Sequence, residues 1–68
     1  MERQVKRLNT SVYRKIKKIT QIQMSKELGV STVTLSSWET GKSLPNINQL
    51  YKISKILGVQ MEELLGWE

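Results

Sequence analysis

The segment Thr20-Gln21-Ile22-Gln23-Met24-Ser25-Lys26-Glu27-Leu28-Gly29-Val30-Ser31-Thr32-Val33-Thr34-Leu35-Ser36-Ser37-Trp38-Glu39-Thr40-Gly41 reads as two short helices joined by a tight turn. Thr20, followed three residues later by Gln23, has the spacing of an N-terminal capping box. Ile19 before that cap and Met24 after it are spaced as a hydrophobic staple. Gly29 stands just past the helix end, where a residue without a Cβ takes the left-handed conformation at no steric cost. Ser31 caps the next helix, with Val30 and Leu35 as its staple pair, and Gly41 ends it. The spacing predicts helices over 21–28 and 32–40. Met24 and Leu28, four apart, and Leu35 and Trp38, three apart, give each helix one apolar face.

The same grammar continues on either side. Asn46 and Gln49 form a capping box after Pro45 and open a helix over 47–57 that stops at Gly58. Gln60 with Glu63, and Val59 with Leu64, predict a last helix over 61–65, followed by Gly66. Ile47, Leu50, Ile53 (or Ile56) and Leu57 form the apolar stripe of the 47–57 helix, and Leu64 and Leu65 close the core. Ile19, Val30, Leu44 and Val59 fill the joints. Upstream, Val5, Leu8, Val12 and Ile16 recur at spacings of three and four and predict a basic first helix. Asn9, Thr10 and Ser11 interrupt it with poor helix formers, so it starts near residue 5 or near Ser11. No alternating β-branched run carries hairpin signals, and no strand is expected. Helices this short are not stable alone, so each must dock on the others. The expectation is an all-α, compact five-helix bundle.

Composition narrows the chemistry. Sixty-eight residues make one domain, 1–68, with a basic segment at 1–11 and the central two-helix unit at 20–41. There is no Cys, His or Asp, which excludes disulfides, zinc sites of the Cys/His type and any nucleophile–His pair. No enzyme, catalytic residue, metal or cofactor is expected. No apolar h-region follows the basic start, and no run of about 18 apolar residues exists, so neither a secretory signal nor a membrane span is expected. Net charge is +5, unevenly distributed: +6 over residues 1–18, zero over 19–45 and −1 over 46–68. The basic end points to an anionic partner, either nucleic acid or a membrane surface, unless it is only a solvated face. The absence there of Trp, Phe or a strong Leu face argues against the membrane.

Helix, short turn with Gly first, and helix is the helix-turn-helix arrangement, in which the second helix projects far enough to enter a major groove. The run Thr20-Gln21, Met24-Ser25-Lys26-Glu27-Leu28-Gly29-Val30-Ser31, Thr34-Leu35-Ser36-Ser37-Trp38-Glu39-Thr40-Gly41-Lys42 and Pro45 resembles the Cro/repressor-type helix-turn-helix domain, also called the XRE family. Leu50-Tyr51-Lys52-Ile53, Leu57-Gly58-Val59 and Glu63-Leu64-Leu65 continue the likeness, which covers residues 12–66 without a gap. The resemblance implies a lambda-repressor-like domain that binds double-stranded operator DNA, usually as a homodimer on a near-palindromic site. No sensor or separate oligomerisation domain, no cofactor and no small-molecule ligand are expected, and the location is cytoplasmic, on DNA of prokaryotic or phage type.

Residue roles follow from the same resemblance. Gln21, Ser31, Thr40 and Lys42 match phosphate-contacting positions, and Arg14 and Glu39 match a structural ion pair joining the first helix to the end of the third. Ser25 falls where relatives often carry Ala. With Leu35 and Trp38 inward, the helical period turns Thr32, Val33, Ser36, Ser37 and Thr40 outward. Thr32, Val33, Ser36 and Ser37 are the expected base-reading residues. This face has no Arg for guanine and no Gln or Asn for adenine. Val33 suits a thymine methyl, and the remaining specificity would come from phosphate contacts and DNA shape. Arg3, Lys6 and Arg7 read either as an arm on the DNA backbone or minor groove or as a solvated terminus. Trp67 reads either as part of a dimer patch with Leu65 and Ile56 or as a cap on the monomer core. The leading function is a sequence-specific transcriptional regulator of repressor type. The alternatives are a DNA-binding antitoxin, or a protein-interaction module of this fold that does not bind DNA.

Overall fold

Asn9 opens the first helix, α1 (Thr10–Ile16), and its backbone N–H donates to the Leu64 carbonyl at 2.7 Å, so the start of the chain is tied to its end. The computed structural model describes residues 5–67. Along them, strand β1 (Val5–Leu8) precedes α1, followed by α2 (Gln21–Leu28), α3 (Thr32–Thr40), α4 (Ile47–Leu57), one 3-10 turn (Met61–Leu64) and strand β2 (Leu65–Trp67). Thr20 and Asn46 each accept from the amide three residues on, while Gln23 and Gln49 reach back to the cap N–H, completing both capping boxes. The four helices end alike. Ile19, Val30, Lys42 and Val59 each donate their N–H to the carbonyl five residues back, the longer bond of a Schellman turn. Gly29 supplies the left-handed residue for α2 at φ 72°. At the end of α1 that place falls to Lys18, at φ 59°, the one non-glycine residue with positive φ among those described.

Two expectations are corrected. The segment 61–65 is not a fifth helix: only a 3-10 turn fits between Gln60 and Leu65, because β2 begins there. Nor is the domain free of strands. Val5, Arg7 and Leu8 pair antiparallel with Trp67, Gly66 and Leu65, with a bulge at Lys6. The basic segment is therefore strand from Val5 to Leu8, and α1 starts only at Thr10. Arg3 lies outside the described residues, and so does Glu68; the side chains of Lys6 and Trp67 are likewise not described. Gly66 does not end a helix. A Cβ there would stand 2.8 Å from the Arg7 carbonyl oxygen, so the ribbon needs glycine for close approach rather than for a left-handed turn.

Leu8, Met24, Leu28, Leu35, Trp38, Leu50, Ile53, Leu57 and Leu64 form the core, with Ile19, Val30, Val59 and Leu65 packed against it. Ile53, not Ile56, is fully buried in α4, as is Leu57. β1 packs on α3 and inserts Leu8 among the helices. This moves the α1 face. Val12 and Ile16 are exposed, and the inward residues are Thr10 and Tyr13. Ile47 and Leu44, expected inside, also lie on the surface, since Asn46 caps α4 just before its apolar face turns inward at Leu50. Ser25 and Ser54 are buried but satisfied, donating to the Ile22 and Tyr51 carbonyls.

The Thr10 hydroxyl is fully buried and has no hydrogen-bond partner among the described residues. Thr10→Val should therefore raise the urea midpoint, by about 1 kcal/mol of stability; a loss of stability would mean that the hydroxyl is satisfied. Gly66→Ala should cost about 1–3 kcal/mol through the forced backbone shift and speed hydrogen exchange at the Asn9 amide. Unchanged protection there would show that the ribbon is not what ties the termini.

Candidate nucleic-acid interface

Helix α3 is anchored by one face and open on the other. Leu35 is fully buried and Trp38 is 3 % exposed, fixing the rotation of the helix about its axis. Val33 on the opposite side is 74 % exposed. Ser31 accepts from the Thr34 N–H at 3.1 Å, setting the first turn. The α2–α3 turn joins the end of α2 to the start of α3, and the far end of α3, at Glu39, meets the first turn of α2 at Gln21. The result is a shallow cleft of about 300 Å³ lined by Gln21, Thr32, Val33, Ser36, Ser37, Thr40 and Lys42.

Seven of the eight residues expected to touch DNA thus line one surface. Ser31 is the exception: its hydroxyl caps α3 and bonds the Thr34 hydroxyl at 3.0 Å. Thr40 is exposed, but its hydroxyl proton points back to the Ser37 carbonyl at 3.3 Å. The Lys42 backbone N–H also donates to that carbonyl, at 2.9 Å, so Lys42 offers the cleft its ammonium group and not its amide.

The position of Gln21 depends on two other residues. Arg14 Nε donates to Glu39 Oε2 at 3.1 Å, and Arg14 Nη2 to Oε1 at 3.3 Å. Gln21 Nε2 donates to the same Oε1 at 2.8 Å. A carboxylate only accepts, so the amide must face it nitrogen first. One N–H of Gln21 is spent on Glu39, leaving the other N–H and the carbonyl for a ligand. Arg14 Nη1 further donates to the Ile19 carbonyl at 3.1 Å, which fixes the loop leading into α2. The Arg14 and Glu39 side chains are only 11 % and 7 % exposed, so solvent screens the pair weakly. The link from Gln21 to Glu39 joins residues 18 apart on different helices, and no helical or strand period signals it.

Removing one partner of this pair strands the other's charge in a nearly dry site. Glu39→Ala and Arg14→Ala should each cost about 3 kcal/mol, whereas Arg14→Met combined with Glu39→Met should recover most of the loss. A double variant as unstable as the sum of the two single losses, read from denaturation midpoints, would show that the pair is not coupled.

A family model described as "Helix-turn-helix" matches residues 12–64. Among curated relatives, the HTH-type transcriptional activator BcrR of Enterococcus faecalis is 44 % identical over 52 residues, covering 76 % of this chain and 26 % of that protein. The cryptic phage CTXphi transcriptional repressor RstR of Vibrio cholerae is 38 % identical over 47 residues, covering 69 % of this chain and 42 % of its own. The chain thus spans about a quarter and two fifths of these two relatives. The crystal structure of a Bacteroides fragilis protein, provisionally described as DNA-binding, superposes with a TM-score of 0.81 at 27 % identity, covering 88 % of this chain and 97 % of that one. Among the described residues no helix is long and apolar enough to cross a membrane. The capped α2–α3 pair and the match over residues 12–64 agree: this chain belongs to the helix-turn-helix family of the Cro/repressor (XRE) type.

Proposed function

We propose that this chain binds double-stranded DNA sequence-specifically, as a homodimer on a near-palindromic operator, with α3 in the major groove, and represses by occupying that site. The observation that carries the reading is the open face of α3. Thr32, Val33, Ser36 and Ser37 line the same cleft as Gln21 and Lys42. The remaining N–H of Gln21 and the Lys42 ammonium are donors suited to phosphate on the flanks. Between them the helix presents hydroxyls and one isopropyl group. In the major groove the apolar feature of a base edge is the thymine methyl, so Val33 selects thymine, while the hydroxyls accept from or donate to neighbouring edges. α3 carries no guanidinium or side-chain amide, so groove shape and phosphate geometry supply the larger share of the discrimination. Repression is the regulatory sense assigned here, because blocking a site by occupying it needs no surface that recruits polymerase. A protein-interaction module of the same fold is the rival reading.

Selection of bound sites from a random duplex pool should return a two-fold symmetric winner whose half-sites lie about one helical turn apart, roughly 10 base pairs. On that duplex log affinity should fall linearly with log salt concentration. Lys42→Ala should weaken all duplexes alike and reduce the slope by about 1. Val33→Ala should instead cost about fivefold only on duplexes with thymine at its contact, and Ser37→Ala should change the ranking of operators. No binding to any duplex at low salt would favour the interaction module. Equal losses on every duplex for all three variants would remove Val33 and Ser37 from readout.

A further inference from the structure

A second groove, of about 420 Å³, lies between α4 and the last turn of α2, lined by Glu27, Tyr51, Lys52, Lys55 and Ile56. It shares no residue with the recognition cleft. Tyr51, Lys52, Lys55 and Ile56 stand at i, i+1, i+4 and i+5, so they occupy one side of α4. Ile56, half-buried and packed on the core, and the Tyr51 ring, 52 % exposed, give the groove an apolar floor. Lys55 Nζ lies 5.2 Å from the centroid of that ring, and Lys52 and Lys55 make no ion pair among the described residues. Glu27 is the single carboxylate of the lining, on the α2 side.

We propose that this groove docks an acidic amphipathic segment of a partner protein, with aliphatic side chains on Tyr51 and Ile56 and carboxylates on Lys52 and Lys55. Charge complementarity selects the occupant. A nucleic acid gains nothing from an apolar floor beside Glu27, and the groove is too open to enclose a small ligand. A second copy whose two-fold axis ran through this groove would crowd Lys52 and Lys55 against their own equivalents, a like-charge contact that opposes closure. An acidic helix with leucines at i and i+4 satisfies both the floor and the basic rim, and leaves Glu27 to accept from its exposed N-terminal amides. The groove and the α3 face have separate linings, so both can be occupied at once.

The test uses the full chain without DNA, so its outcome is independent of the DNA reading. The probe is a synthetic peptide with leucines at i and i+4 flanked by glutamates, followed by fluorescence anisotropy and by amide chemical shifts of the labelled protein. Binding should be saturable and weakened by salt, with shifts centred on Glu27, Tyr51, Lys52, Lys55 and Ile56. Lys52→Glu with Lys55→Glu should weaken it about tenfold or more, and Tyr51→Ala should weaken it without altering the salt dependence. These side chains lie at the surface, and an unchanged thermal transition should show that the variants fold. The proposal is overturned by no saturable binding, by equal binding of the peptide with lysines in place of glutamates, or by shifts centred on Val33 and Ser37. It is also overturned if the groove residues shift with protein concentration alone, which would make a second copy the occupant.

Discussion

The carboxylate of Glu39 accepts three hydrogen bonds, two from Arg14 and one from Gln21, and so joins α1, α2 and α3 at a single nearly dry point. A binding helix must be held at a fixed depth and rotation, and apolar packing alone fixes these loosely. Leu35 and Trp38 set the rotation of α3. The Glu39 junction sets its end against the first turn of α2, where Gln21 faces the cleft. The ion pair adds little net stability, since desolvation offsets most of the attraction. Its contribution is geometric: an amide donor and a helix end cannot shift independently when one carboxylate holds both.

The terminal ribbon supports the same helix from another side. β1 packs on α3 and is itself held by β2 through backbone pairing and the Asn9–Leu64 bond. A domain of this size buries a smaller share of its surface than a larger one does and gains from any closure that does not enlarge the core. Arg7 is consequently an exposed residue on a paired strand, not part of a free arm. Two separate surfaces result. The α3 face is hydroxyl-rich and flanked by donors, and the α4 groove is apolar with a basic rim.

The helices α2, α3 and α4 were legible to the residue because their signals are local. Thr20/Gln23, Ser31 and Asn46/Gln49 mark the starts, and Gly29, Gly41 and Gly58 mark the ends. The end of α1 was less clear, since Lys18 takes a left-handed conformation that usually signals glycine. The ribbon was hidden for a different reason. Strands of four and three residues show no readable alternation, and their partners lie at opposite ends of the chain, so no turn announces them. Val5 and Leu8, three apart, imitated a helical stripe that continued falsely into Val12 and Ile16. The cleft residues followed from helical period plus family resemblance. The commitment of Gln21 to Glu39, and of the Ser31 and Thr40 hydroxyls to the protein itself, depends on side-chain geometry that no spacing encodes.

The central claim is that a duplex meets the α3 face and the flanks of its cleft. Amide chemical-shift mapping of the labelled chain against its best-selected duplex tests it most directly. The account predicts that the largest shifts fall at Gln21, Thr32, Val33, Ser36, Ser37 and Lys42, with Tyr51, Lys52 and Lys55 nearly still. Shifts concentrated on α4, with Val33 and Ser37 unmoved in a saturated complex, would contradict it.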